Sequence, residues 1–203
     1  IINCRKYLIS VFKNIFTSFN FLKKMPDNLK LILLKKYSDE RGYFCETFKE
    51  SNDAEDSLHT RFIQDNLVYS SKKYTFRGLH QQRTPYGQDK LIHVIKGSIL
   101  DIAVDIRPNS KTFSEYFSVE ISNSNNKQLF IPKGFLHGYL TLKDETIVAY
   151  KVSSPYSKDN EIGVSILDKN LKIVLPCNQD ELILSEKDKE LSSFKKLKRE
   201  LPI

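Results

Sequence analysis

The sequence predicts an all-β domain, a jelly-roll or cupin-type double-stranded β-barrel, with a C-terminal helix and a helical N-terminal extension. From Leu29 onwards the apolar runs are short and are separated by turn residues, which is typical of all-β domains. Residues 100–107 alternate strictly between apolar and other side chains, as a half-buried strand does. Strand hydrogen bonding confines proline to the gaps between strands, and that is where four prolines fall: Pro108, Pro132, Pro155 and Pro176.

The extension covers residues 1–24, where apolar residues such as Val11, Ile15 and Phe19 recur at helical spacing opposite basic ones. Lys13 interrupts the apolar run well short of the roughly 20 residues that a membrane span requires. Three interpretations stay open: a helix on a membrane surface or for targeting, a partner-binding helix, or translated sequence ahead of the true start, since Met25 is the only methionine. We therefore predict one folded domain over residues 25–203.

The first half of that domain begins with a strand at residues 31–34, a turn at 38–42 and a strand at 43–48. A polar stretch at 49–61 has room for a short helix. The strands predicted next, each an apolar or alternating run bounded by turn residues, are 62–66, the segment around His80, 90–95, 100–107, 115–121, 128–131, 135–142 and 146–152.

Two details of this prediction concern packing. In the alternating strand, Leu100, Ile102, Val104 and Ile106 are expected to face the core, which leaves Asp101 and Asp105 on a solvated face. After Pro176 the pattern becomes helical, and Ser185-Glu186-Lys187-Asp188 matches a capping box that starts a closing helix with a stripe formed by Leu191, Phe194 and Leu197.

Charge and cysteine usage exclude two classes of protein. The net charge of +7 is concentrated in residues 1–24, which hold five basic residues and no acid, so the domain itself is near neutral and lacks the basic footprint of a nucleic-acid binder. Cys4, Cys45 and Cys177 show neither paired spacing nor a CxxC motif. This argues against a disulfide framework or a thiolate zinc site and is typical of a reducing compartment such as the cytoplasm.

The four histidines differ in their surroundings. His59 lies in a polar stretch, which favours a solvated surface position, and His93 alternates with apolar residues, which favours an ordinary strand histidine. His80 and His137 each lie near glycine, which inside a strand often marks the close approach of a ligand or another backbone. A cupin metal site would need an HxH pair, and Gln82 occupies the second position after His80, so no metal is predicted.

Nine short strings in register resemble the dTDP-4-dehydrorhamnose 3,5-epimerase family over about residues 27–190. In order they are Asp39-Glu40-Arg41-Gly42, Gln64-Asp65-Asn66, Arg77-Gly78-Leu79-His80, Lys90-Leu91, Asp101-Ile102-Ala103-Val104-Asp105-Ile106-Arg107, Gln128 with Ile131-Pro132, Gly134-Phe135-Leu136-His137-Gly138, Tyr150-Lys151 and Leu184-Ser185-Glu186-Lys187-Asp188.

The resemblance implies a cupin-type epimerase domain, a homodimer and no metal or organic cofactor. The implied substrate is dTDP-4-dehydro-6-deoxyglucose, inverted at C3 and C5 to dTDP-4-dehydro-L-rhamnose for dTDP-L-rhamnose biosynthesis. It implies His80 as general base, Asp188 as its orienting carboxylate, Tyr150 as general acid and Lys90 as stabiliser of the enolate. The residues implied to hold the nucleotide sugar are Arg41, Glu46, Gln64, Asn66, Arg77, His137, Glu161 and Lys187.

The chemistry requires these residue types. A ketone at C4 acidifies the hydrogens on C3 and C5, so epimerisation needs a base on one face of the sugar and an acid on the other. Histidine both takes and releases a proton near neutral pH, a carboxylate on its far nitrogen fixes the tautomer, and tyrosine stays protonated. A lysine ammonium supplies positive charge where negative charge develops.

Each of these assignments has a structural alternative. Asp188 is also the third residue of the capping box, Lys90 could be a solvated strand end, and Tyr150 could be an ordinary sheet tyrosine. If residues 143–145 form a short hairpin loop, Tyr150 lies across from Gly138, where the missing side chain leaves room for substrate.

Departures from the family pattern concern specificity. Ile166-Leu167-Asp168 and Val174-Leu175-Pro176 stand where family members often have tryptophan, and the chain has none; Tyr37 stands where phenylalanine is common. Two alternatives therefore stay open: a 3- or 5-epimerase acting on another nucleotide-linked 4-keto sugar, and a non-catalytic sugar-nucleotide binding protein.

Overall fold

The computed structural model describes residues 25–50 and 58–201, and strands dominate this part of the chain. The strands are β1 (Lys30–Leu33), β2 (Lys36–Asp39), β3 (Gly42–Cys45), β4 (Gln64–Ser70), β5 (Phe76–Gln82), β6 (Lys90–Lys96), β7 (Ser98–Asp105), β8 (Tyr116–Ser122), β9 (Lys127–Ile131), β10 (Phe135–Thr141), β11 (Thr146–Val152) and β12 (Glu161–Gly163). The predicted extension at residues 1–24 and most of the polar stretch at 49–61 lie outside the described residues.

The strands form two five-stranded antiparallel sheets and a separate hairpin. Sheet I has the order β1-β9-β6-β11-β4, and sheet II the order β12-β5-β10-β7-β8. The hairpin pairs β2 with β3. Consecutive strands repeatedly change sheets, which is the connectivity of a jelly roll, so the predicted all-β double-sheet fold is confirmed.

Two apolar clusters hold the domain together. The inner cluster fills the space between the sheets and includes Ile92, Ile99, Leu129 and Val148. The outer cluster packs the other face of sheet II against the C-terminal segment; among its buried members are Ile102, Val104, Leu136, Phe194 and Leu197. Sheet II is therefore covered on both faces.

Burial on both faces overturns the expectation of a solvated face on the alternating strand. Every residue of β7 is buried, and the side chains of Asp101 and Asp105 are fully inaccessible. Leu100, Ile102 and Val104 of β7 belong to the outer cluster, whereas Ile99 and Ala103 belong to the inner one, so Asp101, on the same face as these two, faces the barrel interior. An alternating pattern identifies the two faces of a strand, but it does not say that the polar face meets solvent.

The C-terminal segment is more broken than predicted. Instead of one closing helix there are two short ones, α1 (Glu186–Lys189) and α2 (Phe194–Glu200). A bridge between Val164 and Ser192 separates them, and Ser193 caps the second by accepting a hydrogen bond from the Lys196 N–H. Three single-turn 3₁₀ helices precede them: Lys158–Asn160, Lys169–Leu171 and Gln179–Glu181. No helix among the described residues is long and apolar enough to cross a membrane.

Three local predictions need correction. Part of the turn predicted at residues 38–42 belongs to strands β2 and β3, and the strand expected at 62–66 begins at Gln64 and runs to Ser70. Strand β12 was not predicted. The hairpin loop considered for residues 143–145 does not form, because β10 lies in sheet II and β11 in sheet I. Gly138 consequently aligns with Ile102, and Tyr150 with Asn66 and Ile92.

Candidate active site

Two glycines bring the two site histidines together. His80 on β5 and His137 on β10 are register partners, and a β-bulge follows His137. A Cβ atom added at Gly78 would lie 2.6 Å from the Gly138 Cα, and one added at Gly138 would lie 2.7 Å from the Arg77 carbonyl oxygen. Side chains at these positions would therefore push β5 and β10 apart, which explains why glycine accompanies both histidines.

The first histidine contacts a carboxylate from the C-terminal segment. His80 Nε2 lies 2.7 Å from Asp188 Oδ1, although the alignment of the two groups falls short of a well-directed hydrogen bond. The Asp188 N–H donates to Ser185 Oγ at 3.1 Å, so Asp188 serves the helix cap through its backbone and contacts His80 through its side chain. Burial alone would raise the pKa of Asp188, but the neighbouring His80 imidazole, the Ser185 hydroxyl and the Gly78 backbone together hold the pKa below its usual range.

A second carboxylate lies at the other ring nitrogen. Glu161 Oε1, on β12, is 3.7 Å from His80 Nδ1. Its Oε2 accepts a hydrogen bond from the Tyr156 hydroxyl at 2.8 Å and an ion-pair contact from Lys187. Burial opposes ionisation of Glu161, yet the Lys187 and Tyr156 contacts lower its pKa, so the carboxylate is charged.

The second histidine forms its own pair deeper in the barrel. His137 Nε2 lies 2.6 Å from Asp101 Oδ1, and both side chains are buried. Burial lowers the pKa of His137 even though Asp101 acts in the opposite direction. The arrangement fits a neutral imidazole whose Nε2–H donates to Asp101.

Tyr150 and Lys90 come from the opposite wall, on β11 and β6 of sheet I. Tyr150 packs against the inner cluster, and burial raises the pKa of its hydroxyl above the usual value. Burial lowers the pKa of Lys90 to about 8, although Asp101 and Glu161 favour its charged form. Lys90 is half-buried and lies on the same face of β6 as Ile92 and Val94 of the inner cluster, so it is not the solvated strand end that was the alternative.

The residues implied to hold the nucleotide sugar fall into two groups. Glu161 and His137 lie beside His80, and Lys187 pairs with Glu161. Asn66 aligns with Tyr150 and accepts a 2.7 Å hydrogen bond from Gln64. Arg77 is held by Ser70 Oγ at 3.2 Å and by the Tyr69 carbonyl oxygen.

Arg41 and Glu46 form the second group, in and just after the exposed β2–β3 hairpin. Arg41 pairs with its neighbour Asp39 at 2.6 Å and is 84% exposed. Among the described contacts, none joins either residue to His80.

Four residues next to the site were missed by sequence reasoning: Asp101, Tyr156, Gln82 and Tyr139. Asp101 was missed because it was predicted to face solvent. Tyr139 was missed because only its hydroxyl distinguishes it from an aromatic residue of the inner core. Gln82 is buried, donates to the Tyr86 and Pro155 carbonyl oxygens at 2.7 and 3.0 Å and accepts from the Ser157 N–H at 2.6 Å. It thus fixes the loop that carries Tyr156. The signal for Gln82 was its position two residues after His80, on the same face of β5.

The other two histidines are outside this constellation. His59 is exposed, as predicted. His93 lies on the outer face of sheet I against a cavity of about 350 Å³ beneath the hairpin, and within the described part of the chain its Nδ1 has no hydrogen-bond partner. It is therefore not the satisfied strand histidine that the pattern favoured.

The antiparallel double sheet and the polar groups inside it define the class of protein, a cupin-type barrel enzyme. The family model described as dTDP-4-dehydrorhamnose 3,5-epimerase matches residues 24–196, and the chain belongs to that family.

Relatives and solved structures agree with this membership. The dTDP-4-dehydrorhamnose 3,5-epimerase of Methanothermobacter thermautotrophicus is 44% identical over 172 residues, which cover 84% of this chain and 92% of the relative. The crystal structure of the Bacillus anthracis enzyme, with TDP and PPi bound, has a TM-score of 0.79 at 39% identity and covers 85% of this chain and 98% of that one. The Legionella pneumophila enzyme in complex with dTDP-4-keto-L-rhamnose has a TM-score of 0.78 at 38% identity, with 87% and 93% covered.

Proposed function

We propose that the chain inverts C3 and C5 of dTDP-4-dehydro-6-deoxyglucose to give dTDP-4-dehydro-L-rhamnose, in dTDP-L-rhamnose biosynthesis. The observation that carries this function is the placement of His80 on sheet II and Tyr150 on sheet I, on opposing walls of one barrel. A sugar ring lying between the walls has a base on one face and an acid on the other, which is the arrangement that inversion of a carbon centre requires.

His80 acts as the base through Nδ1. Asp188 lies at Nε2, so it keeps the proton on that nitrogen and leaves the Nδ1 lone pair free to take the hydrogen from carbon. Once Nδ1 is protonated, the imidazolium lies between the carboxylates of Asp188 and Glu161, which both stabilise it. Asp188 is a positioning residue, because it acts on the substrate only through His80.

Removal of the proton leaves an enolate whose negative charge develops on the C4 oxygen. The Lys90 ammonium stabilises that oxygen, and its low-dielectric surroundings strengthen the interaction. At neutral pH a lysine with a pKa of about 8 is still mainly protonated, so the charge is available when it is needed.

Tyr150 then delivers its phenolic proton to the opposite face of the carbanionic carbon, which completes the inversion. The phenolate and the imidazolium return to their starting states by exchange with solvent before the second centre reacts. Arg77 and Lys187 supply the positive charge that the diphosphate needs, and Gln64, Asn66 and His137 supply further polar contacts.

The active form is a homodimer, in which the hairpin carries Arg41 and Glu46 to the site of the second copy. Two observations support this arrangement. The hairpin belongs to neither large sheet, and it exposes the aromatic residues Tyr37, Tyr43 and Phe44. Exposed apolar residues on the outer face of sheet I, Leu67 and Tyr69 among them, offer a surface for such a contact.

Solvent isotope incorporation tests the reaction. Wild-type protein in D₂O is expected to introduce deuterium at both C3 and C5 of the substrate. Exchange at one carbon would mean a mono-epimerase, and exchange at neither would mean a binding protein.

His80→Asn and Tyr150→Phe should each lower turnover by about 10²-fold or more while dTDP affinity stays nearly unchanged. The matched control is Tyr116→Phe, a tyrosine of the outer cluster, which should keep full turnover.

Complementation tests the dimer. His80→Asn and Arg41→Ala proteins, each weakly active alone, should recover up to about a quarter of wild-type activity when co-refolded as mixed dimers. The reason is that half of a random mixture is heterodimer, and each heterodimer contains one unaltered site. No recovery in a mixture shown to contain heterodimers would mean that Arg41 serves its own chain's site or none.

A further inference from the structure

We propose that the Tyr139 hydroxyl and the second carboxylate oxygen of Asp101 form a subsite for one hydroxyl of the sugar, and that this is the C2 hydroxyl. The proposal rests on the function proposed above and adds a specificity determinant to it. None of the residues implied by the family resemblance to hold the substrate supplies this contact.

The two side chains are neighbours inside the barrel. Tyr139 on β10 and Asp101 on β7 are register partners, so their Cβ atoms lie on the same face of sheet II at cross-strand distance. That face is the inner one, because Tyr139 belongs to the cluster between the sheets and its ring centroid lies 6.3 Å from that of His137. Both therefore project toward the volume between His80 and Tyr150.

Both polar atoms are buried and unused. Tyr139 is 5% exposed and Asp101 is fully buried. Within the described part of the chain, neither the Tyr139 hydroxyl nor Asp101 Oδ2 has a hydrogen-bond partner, whereas Asp101 Oδ1 is taken by His137. Burying a polar group without a hydrogen bond is unfavourable, and more so when the group is charged, so these two atoms call for a partner from outside the chain.

The chemistry of the pair selects the partner. The burial that raises the pKa of Tyr139 keeps its hydroxyl protonated and therefore a donor, while the carboxylate oxygen can only accept. A group that accepts from one and donates to the other is a hydroxyl or a water molecule. A phosphate oxygen would be repelled by Asp101, and a ketone could not satisfy it.

Among the sugar hydroxyls, the one on C2 suits a fixed subsite. The C3 hydroxyl changes orientation when its carbon is inverted, but the configuration at C2 is the same in substrate, intermediate and product. A rigid donor and acceptor on neighbouring strands can therefore hold the C2 hydroxyl through both inversions, and the ring stays oriented between His80 and Tyr150.

The test compares wild type and Tyr139→Phe on two substrates, the 4-keto-6-deoxyhexose nucleotide and its 2-deoxy analogue. On the parent substrate, Tyr139→Phe should lower kcat/KM about 5- to 10-fold, mainly through KM, because the hydroxyl is held equally in the ground and transition states. The kcat/KM of wild type should be lower on the 2-deoxy analogue than on the parent substrate by at least the same factor. On the 2-deoxy analogue, Tyr139→Phe should have the same kcat/KM as wild type.

Unfolding of the ligand-free proteins separates this role from a structural one. Tyr139→Phe should leave the urea midpoint unchanged or raise it, since no internal hydrogen bond is lost. Tyr116→Phe is the matched control: the Tyr116 hydroxyl accepts from the Val174 N–H on the outer side of sheet II, so this variant should lower the midpoint and keep kcat/KM.

Three outcomes would overturn the subsite. If Tyr139→Phe has the kcat/KM of wild type on the parent substrate, the Tyr139 hydroxyl hydrogen-bonds to water and not to the sugar. An equal loss on both substrates would place its contact elsewhere on the ligand, and a lowered midpoint would reveal a bond within the protein. Each leaves the proposed function intact, since that function is tested separately by isotope exchange at C3 and at C5 in the wild-type protein.

Discussion

His80 Nε2 and Asp188 Oδ1 lie 2.7 Å apart, which joins the fifth strand of the barrel to the short helix α1 near the C-terminal end of the domain. Asp188 is also held by its own backbone, because its N–H caps the helix on Ser185 Oγ. The C-terminal segment thus contributes a carboxylate to the candidate active site as well as covering sheet II.

Replacement of Asp188 by asparagine is expected to lower kcat about 10²-fold or more, because the amide cannot stabilise the imidazolium and allows the wrong tautomer. The backbone cap is retained, so the unfolding midpoint should change little. Steady-state kinetics and urea unfolding of the same preparation check both statements. Glu186→Gln, in the same turn but exposed and paired with Lys189, is the control that should keep wild-type kcat. An unaltered kcat in Asp188→Asn would leave the residue with its capping role alone.

The activity is expected to decline as pH rises through about 8. Burial lowers the pKa of Lys90 to about 8, so its positive charge is lost there, well below the range in which an ordinary lysine deprotonates. A kcat profile between pH 6 and 10 should show this falling limb. Lys90→Met should be slower by about 10² to 10³-fold at pH 7 and should lack the limb. A limb that persists in Lys90→Met belongs to another group.

The same titration has the opposite effect on stability. The pKa of Lys90 is lower in the folded protein than in the unfolded chain, so between pH 8 and 10.5 the unfolded chain binds more protons. The contribution of Lys90 to the free energy of unfolding therefore rises with pH across this window. Urea titrations of wild type and Lys90→Met at pH 7.5 and 10 measure this contribution. The free energy of unfolding of Lys90→Met should exceed that of wild type by less at pH 10 than at pH 7.5.

Gly78→Ala should destabilise the domain by about 3 kcal/mol or more and abolish turnover. Gly78 has a φ of 120°, and a Cβ there would lie 2.6 Å from both the Gly138 Cα and the His137 carbonyl oxygen. Gly87→Ala is the matched control, because its Cβ would meet the Lys133 Cβ at an ordinary 3.4 Å. Circular dichroism with urea unfolding measures the difference, and comparable midpoints for the two variants would contradict the close approach of β5 and β10.

Gln82→Leu should lower the free energy of unfolding by about 2–4 kcal/mol. The reason is that the Tyr86 and Pro155 carbonyl oxygens and the Ser157 N–H lose their hydrogen-bond partner. The loop that carries Tyr156 should also loosen, which raises KM. Gln179→Leu, at an exposed position in a 3₁₀ helix, should change neither quantity. Equal stability of the two variants would show that water replaces Gln82 at no cost.

Local patterns predicted most of the strands, because alternation and turn residues reflect the local backbone. They failed where a neighbour in space decides the outcome. The polar residues of β7 alternate as they would on a surface, yet both faces of the strand are covered. Residues 143–145 look like a hairpin loop, yet the chain crosses from one sheet to the other there. Strand β12 is too short to carry a pattern and exists because β5 offers it an edge.

The sequence by itself determined the fold class, the family resemblance and the residue types that proton transfer requires, since these depend on composition, spacing and motif order. Only the tertiary structure decided which of those residues meet. It placed Asp188 against His80 despite its capping role, set Tyr150 and His80 on opposing sheets, and left Asp101 and Tyr139 buried, each with a polar atom that pairs with none of the described residues. These relationships arise from sheet pairing between distant segments and from burial, neither of which is encoded at any single position along the chain.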